Sequence, residues 1–124
     1  MDDAQTQATL QTILRFHEPF SRGDVDAIMA ATTDDCTFEN TYPPPDGMPV
    51  QGAAAIRAFW EAFFQASQNP RIDAEEIFAC GDRGVMRWIY RWEDGDGAPH
   101  HIRGVDIFRI RNGQIAEKLS YVKG

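Results

Sequence analysis

The chain has 124 residues, a net charge of −7, 43% hydrophobic and 11% aromatic residues, which is enough apolar side chain for one core in a single domain over 1–124. With no basic stripe to collect phosphates, nucleic acid and an anionic membrane surface are both expected non-partners. No apolar run nears the ~20 residues of a bilayer span, and the polar start Met1-Asp2-Asp3-Ala4-Gln5-Thr6-Gln7 is unlike a secretory leader, so a soluble cytoplasmic protein is predicted.

Between Ala4 and Phe20 the residues Leu10, Ile13, Leu14 and Phe20, with His17, fall near helical spacing. Ser21-Arg22-Gly23-Asp24 then stops one helix and starts another: Gly23 suits a left-handed C′ position and Asp24 the N-cap of a short helix through Ala31. After Asp34-Asp35 a short strand is predicted in which Phe38 and Asn40 alternate with Thr37, Glu39 and Thr41. Tyr42-Pro43-Pro44-Pro45-Asp46-Gly47-Met48-Pro49 excludes helix interior and central strand, and reads as a stiff loop at the mouth of whatever lies inside. Gly52 opens a third helix, Ala53 to about Ala66, with Ile56, Phe59, Trp60, Phe63 and Phe64 as a broad aromatic stripe. Everything after Pro70 reads as strand: Ile72 to Cys80, Val85 to Trp92, His100 to Arg111 and Gln114 to Val122, parted by Gly81-Asp82-Arg83-Gly84, the solvated tip Glu93-Asp94-Gly95-Asp96-Gly97 and Asn112-Gly113. Helices first, then an antiparallel meander, with one helix after the first strand, is an α+β layout. Helices on one side of a strongly curved sheet would leave a cone with an interior. Cys36 and Cys80 show neither CxxC nor zinc spacing, and are read as two buried, reduced thiols.

Strand parity says what faces that interior. Met86, Trp88, Tyr90 and Trp92 share one face, and Val85, Arg87, Ile89 and Arg91 the other. On the next strand Ile102, Gly104, Asp106, Phe108 and Ile110 share a face, so Asp106 sits among apolar neighbours. A carboxylate there is costly unless partnered, or else it stays protonated. It is therefore the strongest candidate for chemistry, beside the plainer reading of a carboxylate satisfied by a Tyr, an Arg or a backbone N–H. His17 has two readings, facing the interior beside Phe16 or packing at a rim, of which the rim is preferred. His100 shares the Asp106 face but lies ~20 Å away along the strand, and His100-His101 with Asp94 and Asp96 fits no calcium loop, so no metal is expected.

Four stretches resemble the nuclear transport factor 2-like superfamily, in its SnoaL-like and ketosteroid-isomerase-like branch: Arg22-Gly23-Asp24-Val25-Asp26-Ala27-Ile28, Asp34-Asp35-Cys36-Thr37-Phe38-Glu39-Asn40, Gly52-Ala53-Ala54-Ala55-Ile56-Arg57-Ala58-Phe59-Trp60, and Val105-Asp106-Ile107-Phe108-Arg109-Ile110-Arg111-Asn112-Gly113-Gln114-Ile115. The resemblance implies a cone of curved sheet closed by three helices, an apolar pocket and a homodimer. Against the ketosteroid isomerase pattern, the position of the proton-shuttling aspartate falls on Asn40, that of the oxyanion tyrosine on Phe16, and only the second oxyanion donor has a match, at Asp106. The His and Asp that SnoaL-like cyclases carry in the last strand correspond to Lys118 and Ser120, and the Arg with two Asp of similar epoxide hydrolases has no counterpart. The resemblance thus implies a ligand cavity without supplying a reaction.

Whether Lys118 meets Asp106 depends on Asn112-Gly113. A two-residue type I′ loop sets Asp106 opposite Leu119, whereas a three-residue loop with a G1 bulge, which the resemblance favours, sets it opposite Lys118. The expected lining is Phe16, Phe38, Tyr42, Trp60, Phe63, Trp88, Tyr90, Phe108, Lys118 and Ser120 around Asp106 and Asn40. Two functions follow. One is isomerase-, cyclase- or lyase-type acid–base catalysis without a cofactor, on a small apolar carbonyl or ring substrate, with Asp106 titrating and Asn40 orienting. The other is a non-catalytic ligand-binding or dimeric accessory protein of the same fold. Val105, Ile107, Leu119 and Tyr121, with Ile89, form the opposite apolar face expected to pair two copies.

Overall fold

The structure, a computed structural model, describes residues 3–123, leaving Met1 and Asp2 of the polar start outside it. Helix α1 (Asp3–His17) runs into a 3-10 turn (Glu18–Arg22), helix α2 (Val25–Ala30), strand β1 (Thr32–Glu39), strand β2 (Pro49–Gln51) and helix α3 (Ala53–Ala66). Four strands complete the chain: β3 (Gln68–Cys80), β4 (Arg83–Glu93), β5 (Pro99–Arg111) and β6 (Gln114–Val122). The six strands form one curved, unclosed sheet in the order β2-β1-β6-β5-β4-β3, with the helices on one side. The α+β cone is therefore the fold. One pair departs from the all-antiparallel expectation. β6 returns alongside β1 in parallel, with Phe38 beside Lys118, because β2 and α3 intervene before the meander begins.

Local chemistry sets most of the boundaries. Proline in the second position closes the α1 pattern at His17 and converts the next five residues to a 3-10 turn, so the first α-helix stops short of Phe20. Gly23 adopts φ 63°, and the Asp24 carboxylate accepts from the Ala27 N–H at 3.0 Å, capping α2 as its sequence requires. The strand after α2 begins at Thr32, two residues before the Asp34-Asp35 pair, and Pro49 joins a three-residue edge strand beside Thr37–Glu39. An edge position tolerates proline because its missing N–H faces away from the ladder.

Helix α1 is fastened across the mouths of two hairpins. Thr9 Oγ1 donates to the Gly81 carbonyl at 2.6 Å, Thr6 Oγ1 accepts from the Gly81 N–H at 3.0 Å, and Arg15 donates to the Gly113 carbonyl. Phe16 on that helix is the hub of the core, with ring centroids 5.5 Å from Phe20, 5.8 Å from Phe108, 6.1 Å from Phe38 and 6.4 Å from Trp60. Edge-to-face geometry throughout this cluster is the arrangement aromatic quadrupoles favour. Cys36 is buried and its thiol is pushed up to about 11 by desolvation. Cys80 is exposed, contrary to expectation, because it ends β3 at the turn; both cysteines are free. Among the described residues no helix is long and apolar enough to cross a membrane.

Two glycines let this packing close. A Cβ on Gly84 would stand 2.3 Å from Ile13 Cδ1, so its absence admits α1 to the sheet. A Cβ on Gly104 would stand 2.4 Å from the Tyr121 carbonyl and 2.6 Å from Trp88 Cζ2, so the Trp88 indole lies over bare backbone. Gly104→Ala is expected to destabilise the fold by about 1–3 kcal/mol, the scale of over-packing, and to shift Trp fluorescence. Gly95→Ala, where nothing lies within 4 Å, should change stability by less than about 0.5 kcal/mol. Chemical denaturation of the two variants checks both.

Candidate functional site

The concave face of the sheet, α1 and α3 enclose a cavity of about 140 Å³. Its wall is mostly aromatic and aliphatic: Phe16, Trp60, Trp88 and Tyr90, with Met86, Phe59, Phe20, Ile72 and Ile102 between them. Into that surface β5 and β6 project three polar side chains, Asp106, Lys118 and Ser120, all at most 8% exposed.

Register explains why the three meet. Asn112 and Gly113 have φ 52° and 74°, the type I′ pair, and Arg111 pairs with Gln114 across a two-residue loop. Two pairs further on the ladder shifts: Ile110 faces Ile115 but Arg109 faces Glu117, leaving Ala116 as an extra residue in β6. Asp106 therefore stands opposite Ser120, and Phe108 opposite Lys118. Both predicted pairings, with Leu119 and with Lys118, are corrected by one residue or two. The loop is the short one, and the bulge lies in the strand beyond it. Without the bulge Leu119 would have turned into the cone in place of Lys118 and Ser120.

The result is a short hydrogen-bonded chain. Lys118 Nζ donates to Ser120 Oγ at 2.6 Å, and Ser120 Oγ donates to Asp106 Oδ1 at 2.7 Å. Lys118 Nζ lies 3.9 Å from the same carboxylate oxygen, so Asp106 is partnered and its burial is offset. The ammonium also sits 5.0 Å from the Phe38 ring centre and 5.6 Å from that of Trp60. Burial pulls Lys118 below its ordinary 10.5, and the Asp106 charge opposes that without cancelling it. Desolvation likewise pulls His17 below 6.5 against the charges of Asp106 and Asp73. Tyr90 is raised by burial, and its hydroxyl is engaged with Ser67 Oγ at 2.7 Å.

Several expected positions fall elsewhere. Phe38 and Phe108 are fully buried, and lie beneath the lining rather than on it, because the aromatic hub around Phe16 covers them. Phe63 is turned toward the Tyr90 ring, 5.3 Å between centroids, leaving Phe59 and Trp60 as the helix residues at the cavity. Tyr42 is 79% exposed, since the loop turns outward after Thr41. Asn40 does line the cavity; its N–H donates to the Met48 carbonyl at 3.0 Å, which holds the loop closed beside it. His17, placed at a rim from sequence, is on the wall. Phe20, Phe59 and Met86 were legible in helical stripe and strand parity as core, and the cone makes core and wall one surface. The indole N–H groups of Trp60 and Trp88 are buried without a hydrogen-bond partner among the described residues. No group of three or more His, Cys, Asp or Glu among the described residues is placed to hold a metal ion. His100 instead pairs with Asp94 at 2.8 Å at the exposed hairpin tip.

A SnoaL-like domain model matches residues 13–118. A nuclear transport factor 2-like protein of unknown function from Mesorhizobium loti is 35% identical, over 100% of this chain and 98% of that one, with a TM-score of 0.84. The same fold is shared at 21% identity by a putative polyketide cyclase from Xanthomonas campestris, over 96% of this chain and 93% of that one, TM-score 0.80. It is shared at 17% by an LEH-like epoxide hydrolase of Mycobacterium tuberculosis, over 95% and 84%, TM-score 0.80. No curated protein matches the chain. A three-helix cone built around an apolar cavity, a family model spanning residues 13–118 and a 35% identical relative of the same length place the chain in the SnoaL-like family of nuclear transport factor 2-like proteins.

Proposed function

We propose that the cone binds a small, mostly apolar molecule carrying a ring or a carbonyl, and moves a proton on it through Asp106, with Asn40 orienting the ligand. The observation that carries this reading is the Lys118–Ser120–Asp106 chain on the wall of an otherwise apolar cavity. Such a carboxylate has a proton path to a neighbouring amine, and sits where water is largely excluded, the setting in which acid–base groups act strongly. That a putative polyketide cyclase and an LEH-like epoxide hydrolase share the fold is in keeping with small-molecule binding. The absence of the usual partner carboxylate at position 40, where an amide stands, favours the second reading, a binding protein that releases its ligand unchanged.

Mass spectrometry of small molecules released on denaturing the purified protein identifies the ligand, which is then offered to wild type and variants. Under the catalytic reading Ser120→Ala and Asp106→Asn each lower turnover, the latter by at least ~100-fold, the scale of one general acid–base group. A folded Asp106→Asn protein that retains full activity overturns the role of Asp106. A ligand recovered unaltered after prolonged incubation with wild type establishes the binding reading instead.

The same substitution has a signed pH dependence. Folded Lys118 binds its proton less readily than the unfolded side chain, so between its lowered value and 10.5 the unfolded state holds the extra proton. The stability linked to this group accordingly rises with pH across that interval. Removing the Asp106 charge extends the interval downward. Asp106→Asn is expected to cost about 3–5 kcal/mol near neutral pH, as when one member of a buried pair is removed, with the deficit shrinking toward 10.5. Urea melts across the pH range check the slope.

We further propose that two copies pair through the convex face. Cross-strand pairing lines up Phe78, Val85, Ile107 and Leu119 as an apolar row over four strands, flanked by half-buried Val105 and by Tyr121, 52% exposed. Ile89, expected in this patch, is instead 5% exposed. It is flanked by the Arg91–Asp73 and Arg103–Glu75 pairs, whose arginine stems cover it. Light scattering at micromolar concentration should give a dimer, and Ile107→Lys a folded monomer; a monomeric wild type overturns the pairing.

A further inference from the structure

Of the twelve basic residues in the chain, ten are arginines and two are lysines, Lys118 and Lys123. Every basic side chain that forms a surface ion pair through an Arg does so with a group that cannot lose its proton or act as a nucleophile. Among the described residues, the Lys or Arg side chain that lines the cone is a lysine, Lys118. An ion pair there would be served equally by a guanidinium, whose planar fork matches a carboxylate better than an ammonium does. What lysine offers and arginine does not is a primary amine that can share its electron pair.

The surroundings of that amine suit such a use. Lys118 lines the cavity, and its Nζ is tethered by Ser120 Oγ at 2.6 Å and has the Asp106 carboxylate 3.9 Å away. Its other near neighbours are the ring faces of Phe38 and Trp60, which satisfy a cation electrostatically without hydrogen bonding to it. We propose that Lys118 captures a small apolar aldehyde or ketone as an imine, with Asp106 acting through Ser120 as the proton acceptor and donor of that step. The proposal rests on the reading of the cone as a cavity for a small apolar ligand, and names the carbonyl class within it.

The step balances without oxidant or reductant. The uncharged amine forms an N–C bond to the carbonyl carbon as the C=O π pair moves onto oxygen. The nitrogen gives up one proton to Asp106 by way of Ser120, and Asp106 passes that proton to the oxygen, giving a carbinolamine. The second nitrogen proton follows the same path to the hydroxyl, which leaves as water while the nitrogen electron pair completes C=N, so amine plus carbonyl becomes imine plus water. In its protonated form the imine keeps the positive charge over the Phe38 and Trp60 rings and beside Asp106. The titratable groups facing Lys118 across the cavity are Asp106 from β5, His17 from α1 and Tyr90 from β4, while α3 contributes Trp60 and the loop after β1 contributes Asn40. Burial lowers the amine from 10.5, and each pH unit of lowering raises its uncharged fraction about tenfold at neutral pH.

The test is reductive trapping. Wild-type protein is incubated with benzaldehyde and cyanoborohydride, and the benzylated residues are mapped by peptide mass spectrometry, with exposed Lys123 as the internal comparator. In parallel, benzyl alcohol, which cannot form an imine, reports cavity occupancy through Trp60 and Trp88 fluorescence. The expected result is benzylation of Lys118 at least ~10-fold faster than Lys123, rising with pH to an inflection below 10.5, and slowed by Asp106→Asn. The fast label should disappear in Lys118→Arg and Lys118→Met, with Lys123 still labelled at its own rate. If benzyl alcohol occupies the cavity while Lys118 is labelled no faster than Lys123, the imine is overturned and the acid–base reading stands. If neither probe perturbs the fluorescence and Lys118 shows no preference, both readings fall together.

Discussion

A lysine and a carboxylate are held inside an aromatic cone, and the remaining features of the site follow from how that pair is kept satisfied. Neither charge reaches bulk water: Lys118 is 4% exposed and Asp106 7%. Left alone, each would cost several kcal/mol of desolvation. Ser120 makes the arrangement tolerable by accepting from one and donating to the other, so the two need not touch. Both residues line the cavity, and the ammonium has the Phe38 and Trp60 rings on its other side.

The sheet supplies this geometry through one irregularity. Six strands bent around α1 and α3 give a concave surface, but concavity alone does not select which residues of β6 point inward. The extra residue Ala116 does that, turning Lys118 and Ser120 toward the cavity and Leu119 toward the convex face. The bulge thus assigns polar groups to the interior and apolar groups to the proposed pairing surface in a single displacement. Gly104 acts on the neighbouring strand in the same sense. By lacking a side chain it lets the Trp88 indole lie flat, and so sets the cavity wall beside Asp106.

The kinship of the chain with cyclases and epoxide hydrolases is one of fold. By the resemblance to ketosteroid isomerases, the position of the acid–base aspartate falls on Asn40 and that of the oxyanion tyrosine on Phe16, a buried ring. The titratable groups joined on the cavity wall lie on β5 and β6, an amine and a carboxylate linked by a hydroxyl. A cavity of about 140 Å³ limits what the cone can hold to a compact molecule.

The amino-acid sequence by itself determined the order of the three helices and of the four later strands, the cap of α2 and the inward faces of the two longest central strands, but not the 3-10 turn or β2. Helical spacing, Asp24 after Gly23, and alternation along Val85 to Trp92 and Ile102 to Ile110 are local properties, governed by backbone geometry within a few residues. Asp106 was legible as a buried carboxylate for that reason. The partner of Asp106 was not, because a bulge at Ala116 has no residue signature: alanine between Ile115 and Glu117 fits an unbroken strand equally well. Only the sheet, closing β6 between β1 and β5 while α1 fixes the Gly113 turn, decided the register there. The same is true of Phe38 and Phe108, whose parity faces inward but whose exposure depends on how Phe16 packs over them. Which of several inward residues touches the cavity is a property of side-chain volumes meeting from five elements at once, and that exists only in the folded molecule.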